Sequence, residues 1–201
     1  MKNPALIIFL SLVGLAQGLG FWFWQQSHTG HPDLAAGTLL DQPRGLPELK
    51  LRDQEDKEFS TRDFKDYWNL LFFGFTHCPD ICPNTLGLLR QIKRDLNNPQ
   101  LRVVFISLDP KRDTSQRLHD YVRYFDPEFI GLTGDQAELE KFSASLYLPY
   151  STTKPDAEGN YSVDHSASLV LVNPAAAAVA YFSAPHQRSM LAGDLETLLT
   201  K

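Results

Sequence analysis

Residues 68–75 read WNLLFFGF, a run of strand length that is apolar but for Asn69, and Thr76-His77-Cys78-Pro79-Asp80-Ile81-Cys82-Pro83 follows directly. An apolar run without polar alternation is a strand buried on both faces, which requires a sheet covered on either side. Beyond the cysteines, Thr85, Leu89, Ile92 and Leu96 recur at helical spacing and mark a stripe that faces a core. The chain therefore predicts strand, cysteine loop and helix in direct succession, with Cys78 and Cys82 straddling the helix start. Any fold for this chain must seat that unit near the middle of a sheet.

The flanking sequence extends the same alternation. Leu49 to Leu51 and Phe59, either side of a polar turn at Asp53 to Lys57, suit a short entry hairpin. Leu101 to Leu108 (LRVVFISL) is a second strand, and Asp109-Pro110 and Asp113-Thr114 are turn and cap residues before a helix carrying Leu118, Tyr121, Val122 and Phe125 inward. Phe129 to Leu132 is a short apolar stretch, and Leu139, Phe142 and Leu146 mark another helix before a polar segment from Ser151 to Asp164. Ser168 to Val172 and Val179 to Phe182 read as a closing hairpin around Asn173-Pro174, with Leu191, Leu195 and Leu198 on a last helix. Strands flanked by helices on this scale predict an α/β fold, a three-layer α/β/α sandwich with a mixed central sheet over residues 48–201.

Ahead of that domain, no charge occurs between Pro4 and Trp24, and this stretch of about 20 residues matches a hydrocarbon core of roughly 30 Å. Residues 1–24 are expected to form one N-terminal transmembrane helix, with Phe21 to Trp24 at the headgroup layer and Lys2 on the inner side. A cleaved signal peptide is the alternative, since Lys2, the apolar stretch and Gly14-Leu15-Ala16 also fit that pattern. Either reading puts the domain outside the cytoplasm. Residues 25–47 read as a flexible linker, with His28 and His31 as solvated linker residues. A net charge of -5 with both signs interspersed excludes an electrostatic footprint for nucleic acid.

The chain has two cysteines, so they must be explained as a pair. A helix amino terminus is expected to lower both thiol pKa values, which favours both metal ligation and nucleophilic chemistry. Four-residue spacing suits two thiolates gripping one soft ion. A structural Cys78–Cys82 disulfide would constrain the unfolded chain little, because the loop is short. A structural zinc site lacks two further ligands of the usual kind. Peroxidase chemistry lacks a Thr or Ser three residues before either cysteine, where Phe75 and Pro79 stand. Thiol redox catalysis stays open, although thioredoxins use a tighter pair and place a proline before the strand facing it, where this chain has Val163-Asp164-His165-Ser166-Ala167-Ser168. His77 adjoins Cys78 but points elsewhere, because consecutive side chains diverge. Asp109 and Asp113 are expected to shape a turn and cap a helix.

Four separated blocks resemble the SCO/SenC family of thioredoxin-like copper proteins, over roughly Leu49 to Leu199. They are Phe73-Gly74-Phe75-Thr76-x-Cys78-Pro79-Asp80-x-Cys82-Pro83, Ser107-Leu108-Asp109-Pro110-Lys111-Arg112-Asp113-Thr114, Phe129-Ile130-Gly131-Leu132-Thr133-Gly134 and Val163-Asp164-His165-Ser166. The resemblance implies a thioredoxin-like fold behind one amino-terminal span, with one copper ion, Cu(I) or Cu(II), held by Cys78, Cys82 and His165. It implies a metallochaperone rather than an enzyme, assisting assembly of the binuclear copper centre of cytochrome c oxidase. The partners would be an oxidase subunit or another cuproprotein, and a thiol reductase, since an oxidising compartment tends to join Cys78 to Cys82. Asp164 is the expected supporting group for His165. The expected location is the inner membrane with the domain in the periplasm, the mitochondrial inner membrane being the alternative. A thiol-disulfide oxidoreductase acting on a partner's cysteines, and a redox or copper sensor, remain the rival functions. Asn84 and Asn173-Pro174 depart from the family's usual residues, away from these ligands.

Overall fold

The computed structural model describes Gly14, residues 17–22 and residues 33–200. The expected span at residues 4–24 lies largely outside the described residues, as do His28 and His31. Among the described residues no helix is long and apolar enough to cross a membrane. Residues from Leu34 onward form one compact unit.

That unit is built on an eight-stranded mixed sheet. Its strands are β1 (Gly37–Gly45), β2 (Lys50–Asp53), β3 (Glu58–Ser60), β4 (Trp68–Gly74), β5 (Leu101–Ser107), β6 (Ile130–Thr133), β9 (Leu169–Val172) and β10 (Ala177–Phe182), ordered β1-β10-β9-β4-β5-β6-β2-β3. Two short strands, β7 (Ser151–Thr152) and β8 (Val163–Asp164), pair separately. Among the described residues of this unit the helices are α1 (Ile81–Leu96), α2 (Ser115–Phe125), α3 (Gln136–Ser145) and α4 (Arg188–Leu199), and a 3-10 turn covers Thr61–Phe64.

The apolar run at 68–74 is the central strand that its composition demands. β4 pairs in parallel with β5 along its whole length and antiparallel with β9, and Asn69 to Gly74 are all buried. Alternate side chains divide between two layers. Phe72 packs on Phe105, which reaches Tyr121 of α2, whereas Phe73 packs on Phe142 of α3, which also meets Phe64. Helices thus cover both faces, as predicted. On α1, Cys82, Thr85, Leu86, Leu89 and Ile92 are buried at helical spacing, and α4 lies alongside, tied by Arg188 to Asp95 and Gln91. The helix ends where Asn97 takes a left-handed conformation, φ 44°, with its N–H bonded to the Lys93 carbonyl.

Two segments differ from the sequence expectation. Gly37–Gly45, placed in the flexible linker, is an edge strand paired antiparallel with β10, with a register shift between Leu39 and Arg44. Pro43 is tolerated there because an edge strand leaves one side of its backbone unpaired. The polar segment from Ser151 to Asp164 folds back on itself through β7 and β8.

Candidate metal centre

β4 delivers the chain directly into the cysteine loop, and α1 begins at Ile81 with Asp80 as its N-cap residue. Cys78 therefore lies ahead of the helix and Cys82 in its first turn. The two sulfurs sit in different surroundings. Cys82 is fully buried, whereas Cys78 is half-buried and its Sγ accepts a hydrogen bond from the Cys82 backbone N–H at 3.4 Å. Both are free thiols. The glycine at 74 makes this possible, since a Cβ there would lie 2.8 Å from Cys82 Sγ and 2.7 Å from the Phe105 ring.

Burial overturns one expectation. The thiol pKa of Cys82 is pushed up, not down, because desolvation penalises the thiolate more than a hydrogen bond from the Phe75 backbone favours it. The partial charge of one helix terminus does not offset full removal from water at this position.

His165 arrives from the other side of β4. Antiparallel pairing sets the end of β4 beside the start of β9, with Phe72 opposite Leu169, so the residues before β9 border the cysteine loop. His165 Nε2 lies 3.8 Å from Cys82 Sγ. Its Nδ1 is 2.9 Å from the Ser166 carbonyl, and because a carbonyl only accepts, the proton sits on Nδ1 and the Nε2 lone pair faces the sulfur. Ring edges of Phe75 and Phe72 flank the imidazole at centroid distances of 5.9 and 6.4 Å. Desolvation lowers its pKa, opposed by the Ser166 bond and the charge of Asp164. Asp164 acts through that charge alone, its backbone pairing with Ser151 and the Ser166 carbonyl orienting the ring.

The loop after β5 ties these parts together, a role the sequence reading missed. Asp113 does not cap α2; Thr114 does, accepting from Arg117 N. Fully buried Asp113 instead accepts from Thr76 N at 2.8 Å, Thr76 Oγ1 at 2.5 Å and Ser107 Oγ at 2.6 Å, which fixes the start of the cysteine loop. Asp109, 2% exposed, bonds Arg112 and accepts from Tyr161 Oη at 2.7 Å. His77 turns outward to Arg117, 2.9 Å away, as expected of a side chain diverging from Cys78. The Tyr121 hydroxyl is buried without a hydrogen-bond partner among the described residues, and burial together with the nearby thiols and Asp113 raises its pKa. An acidic residue spaced four before another in a strand-to-helix loop was the one available signal for Asp113, and it reads equally well as a turn.

Three donors can share one soft ion only if they lie close together. Donors about 2.0 to 2.3 Å from a shared ion stand roughly 3 to 4 Å apart, which the Cys82 and His165 pair meets. Cys78 Sγ, Cys82 Sγ and His165 Nε2 do not all lie within 4.8 Å of one another, and the trio that does, His77, Asp109 and Asp113, has both carboxylates committed to Arg112, Tyr161, Thr76 and Ser107. Since Cys82 and His165 already meet this spacing, the excess lies in a pair involving the half-buried Cys78, and binding one ion requires those donors to draw together. Two sulfurs and an imidazole nitrogen suit copper.

A mixed sheet between helical layers, with a cysteine loop leaving its central strand and a histidine entering from the neighbouring one, defines a thioredoxin-like domain adapted for soft-metal or thiol chemistry. The SCO1/SenC family model matches residues 40–200, and the chain belongs to that family. Similar proteins include a putative copper-binding protein of Stutzerimonas stutzeri, 44% identical over 156 residues that make up 76% of each chain. The mitochondrial SCO2 homolog of Bos taurus is 34% identical over 88% of this chain and 68% of its own. The crystal structure of Arabidopsis thaliana ScoI with copper bound superposes with a TM-score of 0.73 at 33% identity, covering 77% of this chain and 98% of that one.

Proposed function

We propose that this protein is a copper carrier, tethered to a membrane through residues 4–24 with its domain outside the cytoplasm, that holds one copper ion between Cys78, Cys82 and His165. It delivers the ion to a cuproprotein, the binuclear copper centre of a cytochrome c oxidase subunit being the expected destination. The observation that carries this reading is the 3.8 Å approach of His165 Nε2 to Cys82 Sγ with the imidazole proton held on the far nitrogen. Membership of the family and the copper-binding relatives support it. The unequal burial of the sulfurs suits delivery: Cys78 meets a partner's thiols first, and the buried Cys82 lets go last. Loading requires both cysteines reduced and deprotonated, so proton release accompanies uptake.

Copper titration of the reduced full chain tests this. One ion per chain is expected, with affinity falling in His165→Ala and binding lost in Cys78→Ser. Unchanged affinity and stoichiometry in both variants would sink the copper reading. The half-buried Cys78 thiol favours a second activity, thiol-disulfide exchange with a partner. An exchange rate that survives His165→Ala while copper binding fails would assign both activities to one pair.

A further inference from the structure

We propose that Arg112 and Tyr161 form a clasp that positions His165 over the cysteines, so that opening the clasp withdraws the imidazole while both sulfurs stay in place. The inference rests on the copper-carrying reading and deepens it.

His165 follows a hairpin that has little of its own to hold it to the domain. Residues 151–160 are exposed throughout, and the hairpin pairs only Ser151 with Asp164 and Thr152 with Val163, supplemented by bonds between Thr153 and Ser162. Val163 is buried and gives one apolar anchor. Tyr161 provides the polar one. Its carbonyl accepts from Arg112 Nη1 at 2.9 Å, its ring lies under the Arg112 guanidinium at 3.6 Å, and its hydroxyl donates to Asp109 Oδ1 at 2.7 Å. Arg112 in turn bonds Asp109 through Nε and lies over the Phe75 ring at 5.9 Å, the same ring whose partner is His165.

Both halves of the centre are thus referenced to one short segment. Asp109 and Arg112 hold the hairpin four residues before His165, while Asp113, whose N–H bonds the Asp109 carbonyl at 2.9 Å, holds Thr76 two residues before Cys78. A planar guanidinium stacked on one ring and bonded to a carboxylate and a carbonyl fixes position and orientation together. The contacts are only part-buried, so the clasp can open without unfolding the sheet beneath it. Arg112 and Tyr161 are positioning residues, acting on the ion through His165.

The test uses the reduced full chain and its Tyr161→Ala variant, each with and without His165→Ala. Tyr161→Ala is expected to lower copper affinity at least about tenfold, to remove the imidazole nitrogen signal from the pulsed electron paramagnetic resonance spectrum of the Cu(II)-loaded protein, and to change nothing further in the His165→Ala background. Equal losses in both backgrounds, or an unchanged nitrogen signal, would overturn the proposal. Hydrogen exchange of the metal-free protein supplies a readout without copper: amides of 161–168 lose protection in Tyr161→Ala while those of β4 and β5 keep theirs. If copper binding proves indifferent to both His165→Ala and Cys78→Ser, the copper reading falls, whereas unchanged protection at 161–168 removes the clasp whatever copper does. Should Tyr161→Ala unfold β4 and β5, Tyr161→Phe, which deletes only the bond to Asp109, is judged by the same exchange and nitrogen measurements.

Discussion

At the scale of single residues, the centre is governed by what surrounds each donor atom. Cys78 is half-buried and Cys82 is fully buried with a raised pKa. Iodoacetamide should therefore alkylate Cys78 first in the reduced metal-free protein, with Cys82 at least about tenfold slower because it is buried and its thiolate disfavoured; peptide mass mapping over time reads the order. Gly74→Ala drives a methyl against Cys82 Sγ and Phe105, at a cost of about 1 to 3 kcal/mol in urea unfolding. His165 gives a pH dependence of definite sign. Its unfolded pKa is near 6.5 and burial lowers the native one, so between the two the unfolded chain binds more protons. The contribution is present in full above about 6.5 and is lost as pH falls through that window. Urea midpoints of the metal-free protein between pH 7 and 5 should fall less steeply in His165→Gln. The meeting of Cys82 with His165 was foreseeable from residue type and chain order through family likeness; the thiol pKa was not, because burial is decided by packing that local sequence does not encode.

At the scale of elements, the helices and central strands were legible because each carries its own periodicity. α1 and α2 bury residues at helical spacing, and β4 and β5 carry apolar runs at Leu70–Phe73 and Val103–Ile106. β1 was not legible. GTLLDQPRG neither alternates nor sustains an apolar run, and its strand character comes from a partner about 140 positions away in the chain. The loop between β5 and α2 was misread in one respect for a related reason: an aspartate before a helix looks like a cap whether its carboxylate turns to the helix or to another loop. The two roles separate energetically. Thr114→Ala should cost about 1 kcal/mol, the worth of one N-cap. Asp113→Ala strands three donors, the Thr76 N–H and two hydroxyls, and should cost about 3 kcal/mol or more by chemical denaturation.

Across the whole molecule, a mixed sheet with its cysteine unit at the centre leaves two edges to be closed, and the entry segment closes one. The N–H groups of Ala35, Ala36 and Gly37 donate to the carboxylate of Asp194 on α4 at 2.8, 2.7 and 3.0 Å, and β1 then runs along β10. Asp194 is only 5% exposed, so this carboxylate depends on those three donors for its solvation. The compact domain therefore begins near Leu34 rather than at residue 48. Two truncations separate the alternatives. A chain starting at Leu34 keeps the Asp194 contacts and β1, and its thermal midpoint should match that of the full chain. A chain starting at Pro47 strands the buried carboxylate and bares the β10 edge, at an expected cost of about 3 to 5 kcal/mol and with a tendency to associate through the exposed strand. Asp194→Ala introduced into the shorter chain removes the stranded buried charge and should recover part of that loss. Equal midpoints for both truncations, measured by calorimetry, would show that residues 34–46 add nothing to the stability of the domain.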